Sequence, residues 1–387
     1  LADRNNDVYI ALLPLAHIFE LSFEVIALMW NIPIGYSHPN RISHTVPNTR
    51  VAEGSTGDLM ALKPTIMCVV PVILERIHKA IQNKVEEKHP LLKMVIEFCF
   101  DYKKEWNLDG YGTPIMDRLI FDQFFKKPLG LENLNIIVCG GASLNPETQE
   151  SMRVYLNTLI IQGYGLTETC ACGCTSSPHD FFSNGNVGPP TVGVDIKLVN
   201  WEEGGYKVTD DQPRGEIIIG GGHVAKEYYN MPQETQEAFF TDEGKRWFRT
   251  GDIGQACDNG CIEIIDRKKD IVKFPSGEYV SLGKVESALK IHPVIENICA
   301  VYGDSSKDFL VAIVSVEKEN NSTEEVLKIV KEQGEKQGLK KREIPMYIHM
   351  THDKWIPESG LVTPTQKLKR KTIEMKYKEQ IEQLYHQ

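Results

Sequence analysis

The sequence predicts an α/β protein in three parts. Apolar, strand-like runs alternate with helical stretches over residues 1–160, which is typical of a layered α/β domain. Short β-branched runs separated by Gly, Pro and Asn-Gly signals follow at about 185–265 and indicate a small β-barrel or sandwich. A compact α+β pattern occupies residues 266–387. We therefore predict a large domain (1–265) of layered α/β structure plus the barrel, followed by a smaller, mobile C-terminal domain.

The first part is expected to contain buried strands and amphipathic helices in alternation. Strands are predicted where apolar, β-branched runs occur, at Val8–Leu13, Ile66–Val70, Asn135–Cys139 and Tyr155–Ile161. Helices are predicted near residues 17–30, 72–86, 91–106 and 146–157. The polar stretch 37–62 is expected to be an irregular loop.

Further elements are predicted in the two later parts. In the barrel part we expect strands at Val194–Val199, Glu216–Ile219 and Cys261–Ile265, the last after an Asp258-Asn259-Gly260 hairpin turn. The charged run Asp266–Asp270 is interpreted as a hinge or domain boundary. Beyond it, strands are predicted near 295–303, 309–317 and 344–349, and helices near 282–291, 323–338 and 370–384.

Composition excludes several classes of protein. The net charge of −10 argues against non-specific nucleic-acid binding. The nine cysteines lack a disulfide-framework spacing, and Cys170, Cys172 and Cys174 have no second cluster to complete a zinc site. No apolar run is long enough to span a bilayer. The chain opens inside an apparent core strand, so we expect a truncated, C-terminal piece of a longer protein.

The most informative motif is Gln162–Thr169, which follows an apolar segment. Glycines on both sides of Tyr164 allow the backbone to turn tightly and lie close to a ligand. The hydroxyl of Thr167 can bond a phosphate oxygen, and the carboxylate of Glu168 can hold a hard cation such as magnesium. The motif therefore predicts a nucleotide site.

Other short motifs follow one another in a consistent order, and each is weak alone. They are Pro14–Glu20, Gly140–Ala142, Arg214–Glu216 with Gly220-Gly221, Phe248–Asp252, Asp266–Asp270, Gly277–Val280 and Thr363–Arg370. This series resembles the adenylate-forming superfamily of acyl-CoA synthetases, luciferases and peptide-synthetase adenylation domains. Leu13–His17, Trp201–Tyr206 and Gly277–Glu286 look specifically like the eukaryotic long-chain acyl-CoA synthetases.

The resemblance implies an ATP- and magnesium-dependent ligase that converts long-chain fatty acids to acyl-CoA through an acyl-adenylate. It implies that Thr167 bonds phosphate, that Glu168 holds Mg²⁺, and that Lys367 bridges the carboxylate and the α-phosphate during adenylation. His17 is expected beside the acyl carboxylate and the thioester-forming site. Thr167, Glu168, Lys367 and His17 are thus the candidate catalytic residues.

The resemblance also implies where ATP and the co-substrate CoA bind. Tyr164 and Gly165 are expected near adenine, together with the turn Gly140, Gly141 and Ala142. Asp252 and Arg267 are expected at the ribose, and Gly277 is expected where a missing side chain leaves room for pantetheine. The family uses two domain orientations, pivoting near Asp266, of which one delivers Lys367 and the other the Gly277 loop.

Simpler interpretations stay open for five of these candidate residues. Tyr164 could be a core aromatic, Asp252 a turn cap and Lys367 part of a solvated charge run. His17 could be a partly buried histidine that opens a helix, and Arg267 could pair with Asp266 or Asp270. The Ser/Thr/Gly-rich run 53–58 resembles a phosphate loop, but it lies after the His17 motif and lacks a lysine, so we interpret it as a surface insertion.

Two departures limit the resemblance. The family's own phosphate loop has no counterpart in this sequence, and Gln366 stands where many relatives place glycine. We therefore expect this chain alone to be inactive. The alternatives are a ligase for another carboxylate and a non-catalytic, nucleotide-binding remnant. Membrane association through a part outside this sequence, at the cytosolic face of the endoplasmic reticulum or the mitochondrial outer membrane, is implied only by the family.

Overall fold

A computed structural model describes most of the chain, namely residues 6–43, 46, 49, 51–52, 54–177, 184–292, 294–316 and 321–386. Contacts divide it into two compact units, Leu1–Val194 with Gly222–Ala225 and Asp195–Gly221 with Lys226–Gln387. The predicted α/β fold class is confirmed. The boundary predicted at Asp266 stays a prediction.

The first unit is built on a six-stranded sheet, of order β2-β1-β3-β4-β5-β6. The strands are β1 (Tyr9–Ala11), β2 (Ile34–Tyr36), β3 (Ile66–Val69), β4 (Ile136–Gly140), β5 (Leu159–Tyr164) and β6 (Cys174–Thr175). All neighbouring pairs are parallel except β5 with β6. The central strands are almost wholly buried, as expected of a parallel sheet covered by helices.

The helices of this unit connect the parallel strands. They are α1 (Ile18–Met29), α2 (Asp58–Leu62), α3 (Pro71–Glu86), α4 (Pro90–Leu108), α5 (Pro114–Met116), a π-helical stretch (Asp117–Lys126), α6 (Lys127–Leu129) and α7 (Pro146–Leu156). Sequence signals explain several starts. Proline occupies the first turn of α3, α4 and α7, and the Asn145 side chain caps α7 by accepting from the Glu147 backbone N–H at 2.8 Å.

Two predictions for this unit need correction. The predicted strand Tyr155–Ile161 begins only at Leu159, because α7 continues to Leu156 and ends at Asn157 with φ of 43°. Asparagine tolerates this left-handed conformation better than most residues. The loop predicted over 37–62 contains the short helix α2 at its end.

The second unit begins with an antiparallel sheet of order β11-β10-β8-β7, with β9 also paired to β10. These strands are β7 (Asp195–Val199), β8 (Arg214–Gly220), β9 (Phe239–Asp242), β10 (Lys245–Ala256) and β11 (Ile262–Arg267). Helix α8 (Pro232–Ala238) precedes β9. The sheet occupies most of the region predicted to be barrel-like.

In the part of the second unit that the structure describes after β11, a two-stranded and a three-stranded sheet occur with four α-helices. The strands are β12 (Ile271–Lys273), β13 (Tyr279–Ser281), β14 (Ile295–Gly303), β15 (Leu310–Val316) and β16 (Tyr347–Thr351). The helices are α9 (Leu282–Leu289), α10 (Thr323–Lys336), α11 (Arg370–Lys376) and α12 (Lys378–Tyr385). The single helix predicted near 370–384 is therefore two, divided at Tyr377, whose hydroxyl donates to Asp353 Oδ2 at 2.7 Å.

Candidate active site

The Gln162–Thr169 motif lies at the carboxyl end of β5, where parallel sheets commonly bind ligands. A single 3₁₀ turn, Thr167–Thr169, follows the strand. The Leu166 N–H donates to the Thr169 hydroxyl at 3.0 Å, and the Ala171 N–H donates to the Leu166 carbonyl at 2.9 Å. The turn leaves Thr167 exposed, while Glu168 and Tyr164 are half-buried.

Glycine is required at one position of this motif. A Cβ added at Gly165 would lie 2.3 Å from the Ala171 carbonyl oxygen and 2.4 Å from its carbon, which real Cβ atoms do not tolerate. Ala171 and Cys170 are themselves in the left-handed region, with φ of 60° and 50°. At Gly163, by contrast, no described atom lies within 4 Å of an added Cβ. The tight approach predicted for the two glycines therefore belongs to Gly165.

The Gly140–Ala142 turn lies beside this motif, as the sequence predicts. Gly140 is the last residue of β4 and pairs in register with Gly163 of β5. A Cβ at Gly140 would lie 3.1 Å from the Gly163 carbonyl oxygen, so the two strand ends are closely packed. Gly141 follows with φ of 86°, and Ala142 is exposed.

His17 has a structural task in this chain. It is the N-cap of α1, and its Nδ1 accepts a hydrogen bond from the Phe19 backbone N–H at 3.2 Å. A ring nitrogen that accepts is unprotonated, so this contact favours the tautomer that carries its proton on Nε2. The simpler interpretation of His17 as a helix-opening histidine is thus present in the geometry, whatever further role it has.

Glu20, which the sequence analysis did not single out, supports the same turn. Its buried carboxylate accepts from the Leu13 backbone N–H at 2.9 Å and from the hydroxyl of Tyr9 on β1. Burial raises the pKa of Glu20 to about 7, although the hydrogen bonds from Tyr9 and Leu13 oppose the shift. The carboxylate therefore ties the first turn of α1 to the strand before it.

In the second unit, a bend in β10 presents Asp252. The pairing of β10 with β8 shifts register between Arg249 and Ile253. Within the bend the Thr250 hydroxyl donates to the Ile217 carbonyl at 2.7 Å and accepts from the Asp252 N–H at 3.0 Å. Such bulges commonly re-aim a side chain near functional sites.

The acid Glu216 supports the same bend from β8. Its carboxylate accepts from the Gly251 N–H at 3.3 Å and pairs with Lys268 Nζ at 2.8 Å and Arg249 Nη1 at 3.8 Å. Its side chain is only 8% exposed. Glu216 ends the quoted Arg214–Glu216 motif, but the sequence does not show that it reaches the Thr-Gly-Asp bend.

Asp252 and Arg267 come together in the second unit, and the charge of Lys367 interacts with both. Arg267 lies opposite Asp252 in the β10–β11 register, with its Nε 3.5 Å from Asp252 Oδ1. Burial lowers the pKa of Lys367, the positive charge of Arg267 lowers it further, and the Asp252 carboxylate raises it. Arg267 thus pairs with Asp252 rather than with the side chains of Asp266 or Asp270 considered above.

A short closed loop holds Lys367. Val362 and Leu368 form an antiparallel bridge, the Thr363 N–H donates to the Lys367 carbonyl at 2.8 Å, and the Lys367 N–H donates to the Thr363 hydroxyl at 3.0 Å. Gln366 has φ of 60°. This left-handed conformation gives a physical reason for glycine at this position in the resembled family, because glycine adopts it without strain.

Two further predicted positions are Gly277, on the segment after β11, and Asp266, near the end of β11. Gly277, with φ of 85°, is the exposed tip of the β12–β13 hairpin, closed by a 2.8 Å bond from its N–H to the Phe274 carbonyl. The Asp266 carboxylate accepts from the Ser281 hydroxyl at 2.7 Å and from the Gly283 N–H at 2.9 Å. Burial nevertheless raises the pKa of Asp266 to about 6.

The donor set fits magnesium held jointly with a nucleotide. Among the described residues there is no group of three or more His, Cys, Asp or Glu side chains able to enclose a metal by themselves. Mg²⁺ is commonly bound by one or two carboxylates plus substrate phosphates, and Glu168 on the turn after β5 offers such a carboxylate.

The Ser/Thr/Gly-rich run 53–58 leads into helix α2. In the run 53–58, residue 53 lies outside the described residues, Gly57 precedes α2, and Asp58 accepts from the Ser37 hydroxyl at 2.6 Å.

No described helix is both long and apolar enough to cross a bilayer.

Comparison with known proteins identifies the family of this chain. The AMP-binding enzyme family model matches residues 1–229. Long chain acyl-CoA synthetase 8 of Arabidopsis thaliana is 40% identical over 98% of this chain and 56% of that protein. Long-chain-fatty-acid–CoA ligase 4 of Saccharomyces cerevisiae is 36% identical, again over 98% and 56%. The chain thus spans little more than half the length of these curated relatives.

Solved structures show the same fold at low identity. The adenylation domain of a carboxylate reductase from Mycobacterium chelonae superposes with a TM-score of 0.78 at 23% identity, covering 98% of this chain and 54% of that one. The O-succinylbenzoate coenzyme A synthetase of Bacillus subtilis, in complex with ATP and magnesium ion, gives 0.63 at 20% identity, covering 97% and 62%. The family match and the fold lead to one conclusion: this chain belongs to the AMP-binding enzyme family.

Proposed function

We propose that the protein carrying this chain is an ATP- and magnesium-dependent long-chain fatty acid–CoA ligase that works through an acyl-adenylate. The observation that carries the proposal is the Arg267–Asp252 pair, with the charge of Lys367 near enough in the same unit to interact with both. An ammonium group and a guanidinium beside a buried carboxylate can bind the ribose and α-phosphate of AMP and the carboxylate joined to it. The curated relatives named as long-chain ligases supply the substrate class.

The chemistry assigns each residue a task. Asp252 is an acceptor-only group and suits the two ribose hydroxyls, and Arg267 beside it restrains the carboxylate. Attack of the fatty-acid carboxylate on the α-phosphate builds negative charge, which the Lys367 ammonium stabilises. Thr167 donates to a phosphate oxygen, and Tyr164 with Gly165 and the Gly140–Ala142 turn receives adenine.

Magnesium and CoA complete the proposal. Glu168 would hold Mg²⁺, which when bound neutralises charge on the transferred phosphates. Gly277 lies at the tip of an exposed hairpin, where the absence of a side chain suits the narrow pantetheine arm of CoA. His17, at the start of α1, would lie beside the acyl carboxylate. We further propose that the protein works at a membrane, at the cytosolic face of the endoplasmic reticulum or the mitochondrial outer membrane; fractionation of cells expressing it would test this.

The direct test uses the full-length protein with ATP, Mg²⁺, CoA and a panel of carboxylic acids, with acyl-CoA and AMP measured by mass spectrometry. Long-chain acids should give both products. AMP and adenylate without thioester would indicate an adenylating enzyme with another acceptor. Product only from aryl or amino acids would replace the substrate class, and no product with any acid would favour a non-catalytic, nucleotide-binding remnant.

A further inference from the structure

Three of the quoted motifs end in charged residues that meet at one point of the second unit. Arg370 Nε lies 3.0 Å from Asp270 Oδ1, and Arg370 Nη1 lies 2.8 Å from Glu286 Oε1. The same Nη1 donates to the Val301 carbonyl at 2.7 Å, and the Val301 N–H donates to Glu286 Oε1 at 2.9 Å. The guanidinium therefore connects its own segment to the segments that carry Asp270 and Glu286 and to the strand β14.

This charge cluster is mostly shielded from water. The side chains of Arg370, Asp270 and Glu286 are 20%, 18% and 6% exposed. Exposed ion pairs contribute little to the free energy of unfolding. In a shielded cluster such as this one, removing one partner leaves the charges of the others uncompensated. Arg370 also offers a planar fork of donors that a lysine cannot reproduce. The cluster thus holds its segments in one arrangement.

The cluster lies close in sequence to both Lys367 and Arg267. Arg370 is three residues after Lys367, and the loop between them is closed by the 2.9 Å bond from the Lys369 N–H to the Leu361 carbonyl. Asp270 is three residues after Arg267, at the end of the 3₁₀ turn Lys268–Asp270. The Arg370–Asp270 ion pair therefore ties the segment that carries Lys367 to the segment that carries Arg267.

We propose that Arg370 is a positioning residue, which through Asp270 and Glu286 holds the Lys367 amine beside Arg267 and Asp252. The geometric basis of this inference is the pair of Arg370 contacts, 3.0 Å to Asp270 and 2.8 Å to Glu286, which join the segments on either side. Its catalytic part, that adenylation depends on Arg370 through Lys367, rests on the proposed function.

The first test measures the position of Lys367 without any assay of activity. In the full-length protein, the rate of acylation of Lys367 by a small amine-reactive ester is followed by peptide mass spectrometry across a pH series. Arg370→Met should let Lys367 move away from Arg267 and out of its buried position, both of which lower the pKa of the lysine. The midpoint of the labelling rate against pH should then move upward, since labelling follows the deprotonated fraction.

Internal and conservative controls make this test specific. Lys369 and Lys371 flank the cluster and are exposed, so their labelling should not change. Arg370→Lys keeps one charge but not the fork, and should give an intermediate midpoint. Where Arg370→Met does not fold, Asp270→Asn, which removes one partner only, should show the same effect on Lys367 more weakly. Unchanged Lys367 labelling in a folded variant would overturn the inference.

The second test uses a double-mutant cycle on the adenylation half-reaction, measured by pyrophosphate exchange. Arg370→Met should lower the rate at least tenfold in the wild type, and should cause no further loss in a Lys367→Ala background, because it acts through the lysine. Thioester formation from supplied acyl-adenylate should be spared. Equal losses in both backgrounds would mean a general structural role. A wild-type protein that forms no adenylate would defeat the proposed function, while the labelling test would still decide the position of Lys367.

Discussion

The candidate residues of the two units are held in different ways. In the first unit, the turn after β5 is formed by backbone: Gly165 is packed against Ala171, and the turn closes on itself through N–H and carbonyl groups. In the second unit, charged side chains support the candidate residues Asp252, Arg267 and Lys367. Glu216 accepts from the bend of β10 that carries Asp252, and Arg370 binds Asp270 and Glu286 near Lys367.

The two units therefore fix the positions of their candidate residues by different physical means. A turn fixed by steric exclusion responds to added volume and is insensitive to pH. A cluster of partly buried charges responds to the removal of any one partner, because the remaining charges lose their compensation. We therefore expect substitutions that add atoms to be most harmful in the first unit, and substitutions that remove charge to be most informative in the second.

The largest effect is expected from Gly165→Ala. Its new methyl group would meet the Ala171 backbone at 2.3 Å, and the backbone must shift to admit it. We expect a loss of about 3 kcal/mol in the free energy of unfolding, at the upper end for overpacking. Denaturant unfolding measures it, with Gly163→Ala as the matched control, since its methyl group meets no described atom within 4 Å. Equal stability of the two variants would contradict the steric account.

Next in size is Glu216→Ala. It removes the acceptor of the Gly251 N–H and the partner of Lys268, so the bend that carries Asp252 should loosen. We expect a loss of about 1.5 to 3 kcal/mol, the range for hydrogen bonds to a charged group. The exposed Glu263 on β11 gives the control Glu263→Ala, which should be near neutral. A Glu216→Ala protein as stable as that control would show that the bend does not need the carboxylate.

A smaller effect of opposite sign is expected from Lys367→Met. Burial and Arg267 lower the folded-state pKa of Lys367, so the charged lysine destabilises the folded protein at neutral pH. Removing it should stabilise the protein by about 0.5 to 1 kcal/mol, a usual gain when a functionally constrained site is relaxed.

The pH dependence checks the sign of that effect. Below the folded-state pKa of Lys367 the penalty is complete, and it disappears as pH rises through that pKa toward the ordinary value of the lysine. The gain from Lys367→Met should therefore shrink in alkaline solution. Lys369→Met, at an exposed position, should show neither the gain nor its pH dependence. A destabilised Lys367→Met protein at pH 7 would count against the burial of this charge.

The smallest effect is expected from Gln366→Gly. Gln366 has φ of 60°, which costs a side-chain-bearing residue roughly 1 to 2 kcal/mol, while glycine brings an entropic cost of roughly 0.5 to 1 kcal/mol. The net gain should be about 0.5 kcal/mol in the unfolding free energy. Gln366→Ala keeps the strain and should give no gain. Stabilisation by alanine equal to that by glycine would mean that the side chain, not the backbone, sets the cost.

Sequence reasoning placed most elements and grouped the right motifs, but it could not show how the motifs meet. The periodicity of apolar residues located the predicted strands and helices within a few positions, but it did not predict β9, β10 or the helical stretch at 117–129. It started β5 at Tyr155, inside α7, and it missed the division at Tyr377. The helix α7 ends at the single left-handed residue Asn157, and the Tyr377 backbone, with φ of −106° and ψ of 24°, leaves the helical region. The roles of all the candidate catalytic and binding residues stay predictions.

The sequence by itself determined the α/β class, the order of the motifs and the residue types that nucleotide chemistry needs, because these depend on local pattern and composition. Only the tertiary structure decided which glycine is sterically required and which charges meet. Gly165 and Gly163 look alike in sequence and differ only in what packs against them. Likewise Asp270, Glu286 and Arg370 are far apart along the chain, and their contact is set by the packing of α9, β14 and the Lys367 loop.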